Sequence, residues 1–417
     1  MTGYLRSLSP RLPRSVQTLQ VGGLVNAFGN GVVLPFTFIY LHNVRGFGLG
    51  AVGLILATNA AVSLVAGPVT GSLVDRVGGR AMLGIALVFL TLGFLQYPFI
   101  HEHWQGFLAS ATIGVGNGAF WPAQSTLIAG LTPPEKRPVA FAMQRVVMNL
   151  GIGLGGLAGG LIATTSRPGS FTVLFLLNAS TYVVYLSVLF FLVPEPARVH
   201  HARAGRPGRY ADVFRHKVFM GLIALNTLFI AAGMAQLEIL PVYAKNEAGV
   251  TERGIGLIFF VNTVVIVIAQ LPIAKLSQGR RRMLTFALLG VVWAAAWALV
   301  PVSGLWLSGL SATAMLAFAA AVFAIGECLH GAVQAPLVSD LADNRLMGRY
   351  MAMSALSWQV GFTIGPAAAG FLLAFTPTGL WLVAAGLCLA AGVASLALEP
   401  KLPVGARRTP VAAGVEA

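Results

Sequence analysis

The chain has 417 residues, of which 57% are hydrophobic and only 10% charged, and its mean hydropathy is +0.80. Such a low charged fraction excludes a soluble globular protein, in which about a quarter of the residues are charged. The composition predicts a polytopic membrane protein, because a chain of this length accommodates about a dozen apolar spans of about 20 residues each.

The basic residues follow membrane topology rather than forming a binding face, so the net charge of +14 does not indicate nucleic acid as a partner. If both termini are cytoplasmic, 22 of the 27 Lys and Arg residues lie in inward segments. The positive-inside rule then predicts this orientation. The exceptions are Arg45, Arg167, Lys245 and Arg253 in outward loops and Arg145 within a span.

The apolar run from about Leu19 to Leu41 is too long for the core of a secretory signal, so it predicts the first span. Cys328 and Cys388 both lie in apolar runs and indicate neither a disulfide framework nor a metal site. The sequence has no metal-ligand cluster, nucleophile triad or phosphate-binding loop. We therefore expect no cofactor, no bound metal and no enzymatic activity.

Apolar runs predict twelve transmembrane helices with short connections. Their approximate positions are 18–42, 50–74, 81–100, 105–130, 139–164, 171–193, 217–243, 254–275, 283–303, 308–339, 350–374 and 378–398. Residues 194–216, rich in Pro, Arg, His and Gly, predict a cytoplasmic linker between an N-terminal bundle (1–193) and a C-terminal bundle (217–399). Residues 400–417 are predicted to form a cytoplasmic tail.

The segment between the second and third runs combines glycines with an acid and two bases: Gly71, Asp75, Arg76, Gly78 and Arg80. It predicts a tight turn at the membrane surface that is not part of a span. It also resembles the signature loop of the major facilitator superfamily, although Gly79 stands where that family usually has a base. The resemblance implies that Asp75 docks against the start of the eleventh helix and helps to close the cytoplasmic side.

The two halves of the chain are an internal repeat. Residues 39–46 align with 242–249 at an offset of 203, which also places Asn59 on Asn262. At an offset of 210, Gln124 falls on Gln334 and Gly155 on Gly365. Two parallel repeats predict an all-α fold of two pseudo-symmetric six-helix bundles, as in transporters of this class. In the second copy of the signature loop, Lys275 replaces the acid, which suggests that the first copy carries more of the gating.

The fifth span carries glycines at every fourth position, which allow two helices in a membrane to approach closely. It is similar to the fifth-helix motif of the drug/proton antiporters, with Gly156 in place of the usual proline. The matching residues are Arg145, Asn149, Gly151, Gly155, Gly156, Gly159 and Gly160, and the eleventh span keeps Gly365, Pro366 and Gly370. The pattern is consistent with helix packing alone, while the resemblance favours export. Arg145 either extends to the cytoplasmic surface or faces a central cavity.

Three ionisable residues lie within predicted spans, where charge is costly and indicates function. Glu238 lies in the outer third of the seventh span, and Glu327 and His330 share one face of the tenth. A carboxyl group in apolar surroundings binds protons more readily than in water. Glu327 is therefore the first candidate for proton coupling and Glu238 the second, in an arrangement similar to that of the antiporters. The alternative is that Glu238 faces a wet vestibule and Glu327 pairs with His330 or a backbone amide.

A central cavity needs a few polar groups in an aromatic wall. The candidates within spans are Asn26, Asn30, Asn59, Trp121, Gln124, Gln236, Asn262, Gln334, Trp358 and Gln359. Some of them are expected to join helices by hydrogen bonds instead of lining a cavity.

These observations predict a monomeric secondary transporter of a bacterial inner membrane, whose partners are protons, membrane lipids and a small-molecule substrate. Its expected activity is proton-coupled export of amphipathic or lipophilic compounds by alternating access. Two alternatives stay open: an uptake carrier or uniporter for a defined polar solute, and a non-transporting receptor or scramblase on the same fold.

Overall fold

The computed structural model describes residues 12–133, 136–195, 210–342 and 346–409, without the side chains of Ser72, Asp75 and Pro138. Within these ranges the regular structure is helical and contains no β-strand. The long helices are α1 (Arg14–Val33), α2 (Leu49–Val77), α3 (Gly79–Gln96), α4 (His103–Leu131), α5 (Arg137–Ile162), α6 (Gly169–Leu192), α7 (Lys217–Ala232), α8 (Glu252–Leu276), α9 (Arg282–Trp306), α10 (Gly309–Leu341), α11 (Met347–Phe375) and α12 (Pro377–Leu398).

Eleven helical segments among the described residues are long and apolar enough to cross a membrane, which confirms a multi-pass helical protein. They coincide with every predicted span except the fourth. Helix α4 occupies that position with 29 residues. Its glycines and polar side chains, including Asn117 and Gln124, leave it without a continuous stretch as apolar as those of the eleven segments.

The predicted first and seventh spans are interrupted helices. Pro35, just after α1, has no backbone N–H to continue the helical ladder. Helix α7 ends at Gly233, whose φ of −101° and ψ of −88° are not helical, and Pro241 lies further on, in the first turn of the helix Leu240–Asn246. The chain then continues in short helical turns: Thr37–Ile39 and the π-helical Tyr40–Val44 after α1, and the 3₁₀ turn Met234–Glu238 and helix Leu240–Asn246 after α7.

The turn predicted over residues 71–80 is wrong in extent. Helix α2 continues to Val77 and α3 begins at Gly79, so Gly78 alone makes the turn, with a φ of 99°. The backbone therefore keeps its helical hydrogen bonds through the charged residues that follow the apolar run. The helix ends at Gly78 because this residue adopts a positive φ, a conformation that glycine reaches without steric cost.

Residues 12–36 and 61–195 form one compact unit of the described chain. In it, α1 packs against α5 and α6, and α3 packs against α4 and α6. Tyr97, just after α3, stacks on Phe175 of α6 with ring centroids 4.7 Å apart.

Residues 37–60, 210–342 and 346–409 form the second unit. Its core is aromatic: Trp293 and Trp297 of α9 are buried, with centroids 4.9 and 4.7 Å from the ring of Phe323 on α10. Helix α8 packs on α10, and α7 packs on α11. The C-terminal part of the predicted first span belongs to this unit. There, Asn43 Nδ2 donates to Oδ1 of its repeat equivalent Asn246 at 2.7 Å.

The segments predicted as linker and tail contain short helical turns among their described residues. Residues 196–209 of the predicted linker lie outside the described residues, but Tyr210–Arg215 is a short helix. In the predicted tail, Glu399–Lys401 and Val404–Ala406 are 3₁₀ turns, and the chain then returns to the turn between α8 and α9. Neither segment has apolar periodicity, so hydrophobic patterning does not predict these turns.

Candidate functional site

The strongest candidate site lies along the contact between α8 and α10. Asn262 Nδ2 of α8 donates to Oε2 of Glu327 on α10 at 2.8 Å, and also lies 3.4 Å from the carbonyl oxygen of Ala320. One turn further along, Ile266, Ala324 and Cys328 form an apolar cluster. Glu327 is half-buried. A carboxylate with one amide donor and apolar neighbours is suited to taking up and releasing a proton.

His330 faces a different helix from its neighbour Glu327. Its Nε2 donates to Oδ1 of Asn226 on α7 at 2.7 Å, and Asn226 Nδ2 donates to Ser357 Oγ on α11 at 2.7 Å. Because an amide oxygen only accepts, Nε2 carries the hydrogen. The ring lies 6.0 Å from that of Trp293 and 5.4 Å from that of Trp358. His330 therefore links α7, α10 and α11 within the aromatic core.

Sequence reasoning did not identify Asn226 or Ser357 as members of this network. Asn226 is a buried amide inside an apolar run, the same signal that selected Asn262. Ser357 carries no such signal, since serine is common in helices and satisfies itself on the backbone, as it does here with the Ser354 carbonyl at 2.6 Å.

Glu238 lies in the 3₁₀ turn after α7, where the helix has already ended. It is half-buried and follows Gln236, whose Nε2 donates to the Ala231 carbonyl at 2.8 Å. The carboxyl groups of Glu238 and Glu327 therefore lie on separate elements, the 3₁₀ turn and α10. The described hydrogen bond of Glu327 goes to Asn262. A group at a broken helix has access to backbone polar atoms, which is typical of sites in discontinuous helices.

The first unit contains its own buried polar chain. Gln144 Nε2 of α5 donates to Gln124 Oε1 of α4 at 2.5 Å, and Gln124 Nε2 donates to the Tyr185 hydroxyl at 3.1 Å. In the second unit, Gln334 Nε2 donates to Ser354 Oγ at 2.8 Å. The repeat offset of 210 relates Gln124 to Gln334 and Gln144 to Ser354, so the two hydrogen bonds are equivalent in the two halves. Two cavity candidates, Gln124 and Gln334, thus hydrogen-bond between neighbouring helices.

We expect Gln144→Leu to lower the free energy of unfolding by about 1–3 kcal/mol, because it leaves Gln124 Oε1 buried without a donor. Unfolding in mixed detergent and dodecyl sulfate micelles measures the change. The double variant Gln124→Leu/Gln144→Leu is expected to cost less than the sum of the single changes. Gln278→Leu, on an exposed turn, is the control. Strict additivity of the two single effects would contradict the coupling.

The other cavity candidates have varied surroundings. Asn26 is buried, and Asn30 Oδ1 accepts from the Tyr182 hydroxyl at 2.5 Å. The remaining side chains are partly or substantially exposed in the described chain: Asn59, Trp121, Trp358 and Gln359. Arg145 is exposed on α5, which is compatible with either of its two expected orientations.

The glycines of α5 pack directly on the backbone of α1. A Cβ at Gly155 would lie 2.0 Å from the Phe28 carbonyl oxygen, and one at Gly159 would lie 2.4 Å from that of Val32. In the repeat, a Cβ at Gly365 of α11 would lie 2.4 Å from the Ala235 Cβ, after α7. The motif therefore provides backbone-to-backbone contact. Gly156 and Gly160 are buried, and α5 continues through both as an unbroken helix.

In the signature loop, Arg80 fixes the end of α6. Its Nε donates to the Leu189 carbonyl at 3.2 Å, its Nη2 donates to that of Phe190, and its guanidinium lies 5.4 Å from the Phe190 ring centroid. Arg76 is exposed, and Gly71 has open space around it. The Asp75 side chain, which carries the predicted gating contact, lies outside the described residues.

Comparison with known proteins gives consistent matches. The sequence profile of the Major Facilitator Superfamily matches residues 19–305 and 229–414. The chain is 33% identical to the uncharacterized MFS-type transporter YttB of Bacillus subtilis, over 43% of this chain and 44% of that protein. It is 24% identical to the multidrug resistance protein MdtH of Cronobacter sakazakii, over 85% of each chain.

Two further matches extend over most of the chain. The Na(+), Li(+), K(+)/H(+) antiporter of Planococcus maritimus is 24% identical over 85% of this chain and 88% of its own. Among solved structures, a variant of the peptide transporter POT in complex with sulfate superposes with a TM-score of 0.78. It covers 93% of this chain and 95% of its own at 17% identity, so this likeness concerns the fold alone.

Proposed function

The chain belongs to the Major Facilitator Superfamily, and we propose that it is a secondary active transporter that exports amphipathic or lipophilic small molecules in exchange for protons. The observation that carries this proposal is the half-buried Glu327 carboxylate, held by Asn262 between α8 and α10. A charged group within the membrane is costly, so its presence in a transporter indicates a coupling or substrate site.

The proposed topology has twelve spans in two six-helix bundles, residues 1–193 and 217–399, with both termini on the cytoplasmic side of a bacterial inner membrane. The internal repeat supports two related bundles, and the repeat-related hydrogen bonds of Gln124 and Gln334 support equivalent packing of the fourth and tenth helices. The asymmetric distribution of basic residues supports the orientation.

In the proposed cycle, Glu327 and Glu238 take up protons in the outward-open state. Inward opening brings cytoplasmic substrate into competition with these protons, so each change of state carries one or the other. A cationic amphiphile fits this exchange, because it replaces a proton beside a carboxylate without leaving an unpaired buried charge. The Asn262 amide would then hold the ionised Glu327 by its single hydrogen bond.

The relatives support efflux and ion exchange as the class of activity. One relative is named a multidrug resistance protein and another a Na(+), Li(+), K(+)/H(+) antiporter, each at 24% identity. Uptake of a defined polar solute, the alternative that the sequence leaves open, is the competing outcome of the test.

A gradient assay in everted vesicles tests the proposal. Vesicles with an acid interior are given a panel of lipophilic cations, such as tetraphenylphosphonium. Wild-type protein is expected to dissipate the pH gradient with at least one compound, whereas Glu327→Gln, which cannot release a proton, is expected not to do so. Glu247→Gln, an exposed carboxyl group outside the candidate spans, is the control and should behave as wild type.

Two outcomes would contradict proton-coupled export. If no compound alters the gradient while a substrate accumulates independently of pH, the protein is a uniporter or uptake carrier. If neither solute nor proton moves but a fluorescent lipid crosses proteoliposome bilayers, the protein is a scramblase.

A further inference from the structure

The segment that follows α12 is folded against the turn between α8 and α9. We call residues 399–409 the C-terminal strap. Gly279 N donates to the Thr409 carbonyl at 2.9 Å, Thr409 N donates to that of Arg280 at 3.0 Å, and Arg282 N donates to that of Arg407 at 2.9 Å. These bonds form a short antiparallel bridge between Arg281 and Arg408. The strap therefore has a fixed position at the end of two membrane helices.

A cleft of about 510 Å³ lies between the strap and the ends of α9 and α12. Its lining contains three arginines and one acid, so its formal charge is positive. Glu399 forms a two-point ion pair with Arg281, with Nε to Oε1 at 2.8 Å and Nη2 to Oε2 at 2.5 Å. The hydrogen bonds to Glu399 raise the pKa of Arg281. Arg407 and Arg408 provide the excess positive charge.

Both of these arginines are anchored but keep further donors. Arg407 donates through Nε to the Leu402 carbonyl at 3.0 Å and through Nη2 to that of Pro400 at 2.9 Å. Arg408 donates through Nη1 to the Gly279 carbonyl at 3.2 Å. A guanidinium has five N–H groups, so each side chain is oriented by backbone oxygens and retains N–H groups for an anion. A planar guanidinium held in this way is well placed to donate two hydrogen bonds to one phosphate group.

The cleft also has an apolar side. Leu396, in the last turn of α12, is 39% exposed, and Val404 of the strap is 80% exposed. An inorganic anion gains nothing from such neighbours, whereas an amphiphile places its apolar chain against them. The cleft begins where an apolar span ends, at the side that the distribution of basic residues assigns to the cytoplasm. That is the depth of a lipid headgroup.

We propose that this cleft binds the phosphodiester of an anionic phospholipid, of the phosphatidylglycerol type, from the cytoplasmic leaflet. Arg407 and Arg408 contact the phosphate, and an acyl chain follows Leu396 along α12. The site is separate from Glu327 and independent of the transported substrate. A soluble phosphate compound shares the recognised group and is the alternative source that the experiment distinguishes.

The test is a titration of the purified full chain in detergent with dioctanoyl phosphatidylglycerol, followed by native mass spectrometry. We expect saturable binding that Arg408→Gln weakens about fivefold, the effect of one arginine at a lipid surface. The strap keeps its backbone bridge in this variant. Glu399→Gln is expected to strengthen binding, because it removes the opposing charge and releases Arg281. Arg253→Gln, an exposed arginine on α8 outside the cleft, is the charge-matched control.

Opposite effects of the two strap variants separate recognition from damage to the fold, since a displaced strap would weaken binding in both. Weaker binding in both, or equal losses in Arg408→Gln and Arg253→Gln, would overturn the proposal. Dioctanoyl phosphatidylcholine should not compete. If glycerophosphoglycerol or inorganic phosphate displaces the lipid at equal concentration, the cleft is a site for soluble anions and the lipid assignment is wrong.

Discussion

Gly155→Ala is expected to destabilise the first unit by about 1–3 kcal/mol and to abolish most transport. The added Cβ would lie 2.0 Å from the backbone carbonyl oxygen of Phe28, a separation that no side-chain rotation relieves. The two helices must therefore move apart, which is the cost of overpacking a close interface. In a free helix the same change would be favourable by about 1 kcal/mol, so the predicted sign is set by the contact with α1.

Gly386→Ala on α12 is the matched control, because nothing lies within 4 Å of an added Cβ there. It should leave stability unchanged or slightly raise it. Unfolding in mixed micelles and the vesicle gradient assay measure both variants. Equal stability of the two variants would mean that α1 and α5 do not pack at this distance in the membrane.

The positions of the helices follow from the sequence because the bilayer imposes a length of apolar residues on each span. This requirement is local, so it is satisfied within each run independently of the rest of the fold. The extent of the turn at Gly78 was not predictable in the same way. Glycine, acid and base composition indicates residues outside the apolar layer, but a helix outside that layer keeps its hydrogen bonds.

The partners of the polar side chains were less accessible to prediction. In a helix that is apolar all round, the faces toward lipid and toward protein have the same composition, so hydrophobic periodicity does not identify the neighbouring helix. The sequence therefore indicates that Glu327 and His330 are unusual, but not that Asn262 holds the first and Asn226 the second. The internal repeat aligns Gln124 with Gln334, which predicts equivalent positions in the two halves but not the partner of either side chain.

Arg282 shows how much the second copy of the signature loop differs from the first. Its side chain is buried, with Nη2 2.5 Å from Asp340 Oδ2 of α10 and Nη1 3.3 Å from the Ala406 carbonyl of the C-terminal strap. In the sequence this residue is the last of three consecutive arginines. Its burial depends on the strap, which has no apolar pattern. The guanidinium of Arg282, on α9, thus contacts α10 through an ion pair and the strap through a hydrogen bond.

We expect Asp340→Ala to lower the free energy of unfolding of the second unit by about 2–3 kcal/mol, because it leaves the buried Arg282 without its counter-charge. The estimate is at the lower end for buried pairs, since the Asp340 side chain is 41% exposed and water compensates part of the loss. Unfolding in mixed micelles measures the change, with Glu247→Ala as the exposed control.

The double variant Arg282→Met/Asp340→Ala separates the value of the ion pair from the cost of the unpaired charge. Methionine fills a similar volume without a charge, so the double variant is expected to be more stable than Asp340→Ala alone. Loss of the contact to Ala406 would also loosen the strap and weaken lipid binding in the cleft. A double variant less stable than Asp340→Ala would show that the unpaired charge of Arg282 is not what destabilises that variant.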